Sequence, residues 1–246
     1  MRQLLDDVTM IYRQELDSFL TMIVPMAVLG PVLVVVATGG FIPTLVAVPA
    51  LLLLTLLTYS ACLRAAALIL RNLSPDPSRA WIEALRSAPA AIMAAMAPAL
   101  ALAACVILGV RINEFGIPFV GLVAGLAGPV LFARWSLRHA YDESLVLAHD
   151  MPSNEATRVG PLLAVLDERW TAKLLTALAA PLVIAMALSW IASFYLTPLV
   201  GGALFVVAMA FWLPLPALAL TIDCDRVLAE ATEPAHTAPA TASASI

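Results

Sequence analysis

Long apolar runs, each of about 20 residues, dominate this sequence and limit what it can fold into. A bilayer core of about 30 Å is crossed by about 20 residues of α-helix. Only 12% of the residues are charged, about half of the share found in water-soluble domains, so most of the chain must face lipid. We therefore predict an all-α, polytopic integral membrane protein with six transmembrane helices, at residues 19–37, 42–63, 88–110, 117–137, 174–195 and 198–222.

Positive charge is divided very unequally between the two sides of these spans. The connections after the second and fourth spans are long and charged, whereas the others are short. When the long connections and both termini share one side, all of the 13 lysine and arginine residues except Arg111 fall there. Because positive loops stay in the cytoplasm, we predict cytoplasmic termini and a location in the cytoplasmic (inner) membrane of a bacterium or archaeon. The predicted membrane-interface anchors are Trp81, Trp135, Trp170 and Trp190.

Three regions are predicted along the chain. Residues 1–18 carry Asp6 and Asp7 where a secretory signal would be apolar, and their apolar residues recur at helical spacing. This pattern is typical of an amphipathic helix that lies in the membrane interface. Residues 19–222 form the transmembrane domain, and residues 223–246 end in an Ala/Thr/Ser/Pro-rich stretch that predicts a disordered cytoplasmic tail.

The two long connections have similar sequences. Pairs of matching features lie 74 or 75 residues apart: "FIP" at 41–43 with "GIP" at 116–118, Arg64 with Arg138, and Pro77-Ser78 with Pro152-Ser153. We therefore predict a duplicated hairpin, residues 42–110 and 117–195, with an amphipathic elbow on the cytoplasmic side of each copy. The first elbow helix begins at Asp76-Pro77, a favourable cap. In the second copy the span is predicted to continue as a helix through residue 150, and an elbow helix follows at 152–168.

Residues 64–89 and 134–170 carry one further pattern. In each, a span ends at an arginine, a short amphipathic stretch follows, and a tryptophan marks the return, as in "RAWIEALRSAP" and "AVLDERW". This pattern resembles the membrane domain associated with glycerophosphoryl diester phosphodiesterases and its stand-alone relatives, a family of bacterial six-span proteins. The resemblance implies a six-span fold, but not that activity, because the sequence contains no phosphodiesterase barrel. The plan also resembles the six-span membrane half of some ABC exporters, in which an amphipathic helix similar to "IYRQEL" precedes the first span.

Small residues mark one face of the fourth predicted span. Gly121, Gly125 and Gly128 are spaced so that another helix can approach closely. We interpret them as a helix-packing face within the chain, and a homodimer contact is the alternative.

Intramembrane catalysis or proton coupling needs ionisable groups inside the spans, and the middle of each predicted span has no Asp, Glu, His or Lys. We therefore predict a protein that is not an enzyme and needs no cofactor or metal. Arg64 and Arg138 lie at equivalent points of the two copies, where guanidinium groups meet lipid phosphates. They are candidates for lipid head-group binding, and a purely topological role is the alternative.

Two charged clusters leave a metal site open as an alternative to a solvated surface. His139, Asp142 and Glu143 share a helical face and form a partial ligand set. His149 would lie about 15 Å further along the helix, too far to bind the same ion. The "DCD" at residues 223–225 offers two carboxylates and a thiol at the predicted start of the tail.

The net charge of −4 and the absence of a basic run argue against a nucleic-acid partner. The predicted function is that of a non-catalytic membrane subunit or scaffold, which assists lipid or small-molecule handling by a protein partner at its cytoplasmic face. The alternative is a six-span permease subunit of an ABC-type exporter, which would need a partner ATPase. Membrane lipids and a protein partner are expected in either case.

Overall fold

The computed structural model describes residues 2–39, 41–89, 138–166 and 168–232, together with positions 92, 112, 120, 123, 134 and 135. Throughout these residues the chain forms helices joined by turns. Almost all of the third and fourth predicted spans lie outside the described residues, as do Gly121, Gly125 and Gly128.

The helices follow one another with short connections. Their bounds are α1 Arg2–Gln14, α2 Leu16–Ala37, α3 Phe41–Leu70, α4 Asp142–Ala148, α5 Ser153–Leu166, α6 Glu168–Tyr195, α7 Pro198–Trp212 and α8 Pro214–Thr232. Residues 77–89 are also helical and are called the elbow helix below. The elbow helix and α5 lie where the sequence predicts the two elbows.

Four stretches of the described chain are long and apolar enough to cross a membrane: Leu16–Ala37, Pro49–Leu70, Arg169–Tyr195 and Leu199–Ala231. They correspond to the first, second, fifth and sixth predicted spans. Their outward side chains include Val24, Val28 and Ile184, which are large, apolar and exposed. Such side chains are stable where the surroundings are hydrocarbon rather than water. The chain is therefore an all-helical membrane protein.

Two helical hairpins form the body of the described spans. α2 packs against α3, α6 packs against α7, and a contact between α2 and α7 joins the hairpins. α2 and α7 approach each other closely at Gly30, because a Cβ added there would lie 2.3 Å from Cγ1 of Val206. At one end α2 inserts Phe19, Met22 and Ile23 into the buried core. This packing gives the end of the molecule near Phe19 a dense interior.

The turn between α6 and α7 is held by its own side chains. Thr197 caps α7, because its hydroxyl accepts a hydrogen bond from the Val200 amide at 3.2 Å. The Ser189 hydroxyl donates to the Gly201 carbonyl at 2.5 Å. A Cβ on Gly201 would lie 1.8 Å from the Ser193 hydroxyl oxygen, so only glycine permits this approach.

A layer of short helices covers one end of the spans. It consists of α1, the elbow helix, α4, α5 and the C-terminal half of α8, and is called the polar layer below. α8 carries most of its contacts, because it packs against α1, α3, α4 and α5. One link is the Tyr12 hydroxyl of α1, which donates to the Phe211 carbonyl at 3.2 Å.

Several predicted boundaries are wrong. The predicted helix at 1–18 breaks at Glu15, so α2 begins at Leu16 and not at 19. α3 continues to Leu70 rather than ending at residue 63, and its 30 residues span about 45 Å. This length exceeds the bilayer core of about 30 Å, so the last turns of α3 enter the polar layer. α8 runs to Thr232, so the first ten residues assigned to a disordered tail are helical, and residues 233–246 lie outside the described residues.

Both elbows begin after a residue in the left-handed conformation. Asn72 has φ 57° and Asp150 has φ 53°, the left-handed conformation that ends many helices. The amides that follow them bond back to Leu68 at 2.9 Å and to Leu145 at 3.1 Å. The helix predicted to run unbroken through residue 150 is wrong, because residues 139–141 form a turn before α4. The proposed duplication thus has similar helix stops, while the third and fourth spans, one in each copy, lie almost entirely outside the described residues.

Candidate functional site

Ionisable side chains gather in the polar layer, where α3, α4, α6 and α8 meet. Two clusters organise this region, and each is centred on a charged residue that contacts several elements. One is centred on Asp223 of α8 and the other on Arg64 of α3.

The Asp223 cluster joins three elements around one buried carboxylate. Oδ2 of Asp223 accepts a hydrogen bond from the Tyr141 hydroxyl at 2.6 Å. Oδ1 accepts from Trp170 Nε1 at 2.9 Å and lies 2.9 Å from Nη2 of Arg226. The Tyr141 hydroxyl is also 3.1 Å from Oγ1 of Thr171. Asp223 is only 1% exposed, and its charge is balanced by these donors.

The two aromatic members of this cluster are held by contacts beyond a single hydrogen bond. The guanidinium of Arg226 lies 4.7 Å from the centre of the Trp170 ring, in a cation–π arrangement. Burial, followed by the hydrogen bond to Asp223, raises the pKa of Tyr141 above its ordinary value, so this residue stays a neutral donor. Tyr141 therefore ties the turn before α4 to α6 and α8.

The Arg64 cluster joins the end of α3 to both elbows. The Arg64 guanidinium forms an ion pair with Glu83 of the elbow helix, and its Nη1 lies 3.3 Å from Oδ1 of Asp150. Nη1 also donates to the Leu147 carbonyl at the end of α4 at 2.6 Å. About two turns further along the chain, Arg71 donates to the next carbonyl, that of Ala148. These contacts satisfy carbonyls at the C-terminal end of α4 and complement its dipole.

Glu143 is a half-buried acid between the two clusters. Ser60 of α3 donates a hydrogen bond to its Oε1 at 3.1 Å. Burial and the neighbouring charge of Asp142 raise the pKa of Glu143 from 4.5 to about 7. Glu143 therefore changes its protonation state near neutral pH. Its contact with Ser60 places it beside the end of α3 that is predicted to be cytoplasmic.

The partial ligand set His139, Asp142 and Glu143, which the sequence left open as an alternative to a solvated surface, makes contacts with two separate partners. His139 Nδ1 lies 2.6 Å from Oδ2 of Asp142, whereas Glu143 bonds to Ser60. Burial raises the pKa of Asp142, against the effect of His139. Within the described part of the chain, no group of three or more His, Cys, Asp or Glu side chains is arranged to hold a metal ion.

The prediction that residues 223–225 begin an exposed tail is wrong. They lie inside α8, and Asp223 and Cys224 are buried. The side chain of Asp225 is 49% exposed, and its Oδ1 lies 3.0 Å from His149 Nε2. The two carboxylates therefore bind different partners instead of one ion.

The predicted head-group pair has two different environments. The side chain of Arg64 is 11% exposed and is engaged by the contacts described above. Arg138 is exposed at the end of a helical stretch. Lipid binding stays a prediction for Arg138, whereas Arg64 has a packing role that the sequence does not reveal.

The predicted interface anchors also differ in their surroundings. Trp81 is half-buried, and its Nε1 atom is buried. Trp135 is half-buried with its ring 4.9 Å from that of His139, and Trp170 belongs to the Asp223 cluster. Trp190 lies in α6, and its side chain is outside the described set. Interface anchoring stays a prediction for these residues.

Sequence analysis missed Ser60 and Tyr141, and it considered Asp223 only as a possible metal ligand at the start of a tail. An aspartate followed three residues later by Arg226 is the local signal that was available for the role of Asp223. Tyr141 and Ser60 carry no comparable signal, because their partners are 82 and 83 residues away.

Fold and geometry together define a class, that of all-helical membrane proteins with a polar layer at one end of their spans. Comparison of the chain with protein-family models, curated proteins and solved structures gives no match to any of the three.

Proposed function

We propose that this chain is a non-catalytic scaffold subunit of the cytoplasmic (inner) membrane. In this proposal it has six spans, with both termini and the polar layer in the cytoplasm. The polar layer then presents a fixed surface to a protein partner that handles lipids or small molecules.

The Asp223 cluster is the observation that supports this proposal most directly. Its carboxylate is used to hold the turn before α4, the start of α6 and the end of α8 in one arrangement. An arrangement of this kind favours rigidity, because a fully bonded buried network is stable in one geometry. A rigid layer suits a platform for other subunits better than a site that must open to substrate.

The distribution of positive charge supports the proposed orientation. Arg64, Arg71, Arg158 and Arg226 all lie in or beside the polar layer. Positive residues near the ends of spans are retained in the cytoplasm, so the polar layer is assigned to that side. The third and fourth spans of the proposal rest on the sequence alone.

The test of orientation is labelling with a membrane-impermeant thiol reagent. Single cysteines replace Arg79 and Arg158 in a chain that lacks its three native cysteines. We expect both sites to react only after the membrane is opened. Labelling of either site from outside intact cells would contradict the proposed topology.

The test of scaffold function is site-specific photo-cross-linking in intact cells. The probe replaces Leu85, an exposed apolar residue of the elbow helix, and Val183 of α6 serves as the lipid-facing control. We expect a defined protein adduct from position 85 and lipid adducts only from position 183, with the protein adduct weakened by Asp223→Ala. Transport or turnover by the purified chain alone in vesicles would contradict the proposal, and an ATPase as the cross-linked partner would favour the permease alternative.

A further inference from the structure

A stripe of exposed residues runs from α5 to the beginning of α6 and has no role in either cluster. It comprises Arg158, Leu162, Val165, Leu166, Arg169 and Lys173 and is called the α5–α6 stripe below. At about 100° per residue, the α5 positions Arg158, Leu162, Val165 and Leu166 fall within an arc of about 100°. In α6, Arg169 and Lys173 lie about one turn apart on one face. The opposite side of each helix is buried, at Ala156 and Leu163 in α5 and at Leu174 in α6. The stripe is therefore the outer face of this part of the chain.

The stripe has three apolar side chains at its centre and basic side chains on both sides of them. Leu162, Val165 and Leu166 are 68%, 62% and 67% exposed, so none of them is covered by the described part of the protein. Arg158 precedes them, and Arg169 and Lys173 follow them at helical spacing. The acidic residues beside it in the sequence are Glu155, one turn before Arg158, and Asp167 and Glu168, which directly precede Arg169. The stripe thus offers three positive groups around an apolar centre.

The stripe continues directly into the lipid-facing surface of α6. Val183 and Ile184 lie in the same angular range and are 57% and 61% exposed. Arg169 is also the first residue of the candidate span Arg169–Tyr195. A ligand on the stripe therefore touches cationic side chains and hydrocarbon-facing side chains at once. An anionic phospholipid satisfies both conditions, because its phosphate binds arginine and lysine while its acyl chains cover leucine and valine.

We propose that the α5–α6 stripe is a binding site for anionic phospholipids. This inference goes beyond the scaffold function and does not depend on it, since it needs no protein partner. It also moves lipid recognition away from Arg64, which is occupied by Glu83, Asp150 and the Leu147 carbonyl.

The test measures lipid retention by the full chain. The protein is reconstituted into vesicles of phosphatidylcholine and phosphatidylglycerol, extracted in mild detergent and captured, and its bound lipids are quantified by mass spectrometry. The stripe variant is Arg158→Gln/Arg169→Gln/Lys173→Gln. The matched control removes three exposed arginines elsewhere: Arg13→Gln/Arg79→Gln/Arg86→Gln. The rescue variant keeps the charge with Arg158→Lys/Arg169→Lys.

We expect wild-type protein to retain phosphatidylglycerol in excess of its share of the vesicle. The stripe variant should lose this enrichment by about fivefold or more, since one cationic residue near an anionic surface contributes about a fivefold effect. The control and rescue variants should stay within about twofold of wild type. The Cys62 and Cys224 thiols are buried, so their protection from a thiol reagent shows whether each variant is folded.

Three results would overturn the inference. The first is an unchanged enrichment of phosphatidylglycerol in the stripe variant. The second is an equal fall of the enrichment in the stripe and control variants, which would indicate a general effect of positive charge. Loss of a co-purifying protein with an unchanged lipid ratio would make the stripe a protein-docking face instead. Failure of the scaffold proposal would leave the lipid ratio of the purified chain unaffected, so the two proposals are separable.

Discussion

Removal of the Asp223 carboxylate should loosen the polar layer, because this buried group joins the turn before α4 to α6 and α8. Asp223→Ala removes the acceptor of Trp170 Nε1 and leaves the Tyr141 hydroxyl with Thr171 alone. Loss of one partner from a buried charge pair destabilises a protein by about 3–5 kcal/mol. The side chain of Arg226 is 38% exposed and can regain water, so we expect the low end, about 3 kcal/mol.

A loss of this size corresponds to a fall in Tm of about 6–12 °C for a chain of this length. The assay follows the reaction of the Cys62 thiol with a fluorogenic maleimide during heating in mild detergent. Cys62 is buried and free, so its reaction reports loss of packing. The other two cysteines, Cys105 and Cys224, are replaced by alanine in every variant.

The matched control is Asp225→Ala, two positions along the same helix. Its carboxylate is half-exposed and has one ion pair, with His149, so we expect less than about 1 kcal/mol. A double-mutant cycle adds specificity: Tyr141→Phe should destabilise the wild type but have little further effect on Asp223→Ala. Equal Tm values for the Asp223 and Asp225 variants would refute the reasoning.

The remaining predictions concern one titrating group and two contacts. The pKa of Glu143 is raised from 4.5 to about 7, so the folded state binds a proton that the unfolded state releases between these values. Tm should therefore fall as pH rises from about 5 to 8, and Glu143→Gln should flatten this profile; an equally steep profile in the variant would disprove the assignment. Gly201→Ala should destabilise by about 1–3 kcal/mol, because its Cβ would meet Ser193, and Ser193→Ala should restore part of the loss in the same thermal assay. Arg64→Leu should destabilise by about 3 kcal/mol, whereas Arg79→Leu at an exposed position should have an effect below about 1 kcal/mol; comparable Tm losses would contradict an internal role for Arg64.

The membrane class and the four described spans follow from local sequence, because apolar length alone determines whether a helix can cross a bilayer. The elbow helix is equally local: Asp76 caps it, with its Oδ1 accepting from the Ser78 amide at 2.9 Å. Helix capping and hydropathy act over a few residues, and a single sequence displays them directly.

The errors arise where distant residues decide the outcome. Asp223 looks like the start of a solvated tail, because a charged residue after an apolar run usually marks the exit from lipid. It is buried instead because Tyr141 and Trp170 supply its hydrogen bonds from 82 and 53 residues away. Arg64 looks like a head-group ligand for the same reason, and its acceptors Leu147 and Asp150 are 83 and 86 residues further along the chain. A local pattern contains no information about partners at such separations.

The 82 residues between Tyr141 and Asp223 also have a consequence for how the protein is made. At a translation rate of roughly 5–20 residues per second, Tyr141 leaves the ribosome about 4–16 s before its acceptor does. During that interval the hydroxyl has no carboxylate to bond, and α6 and α7 are inserted while the layer beneath them is still loose. We therefore expect the polar layer to reach its final geometry only after α8 has been synthesised.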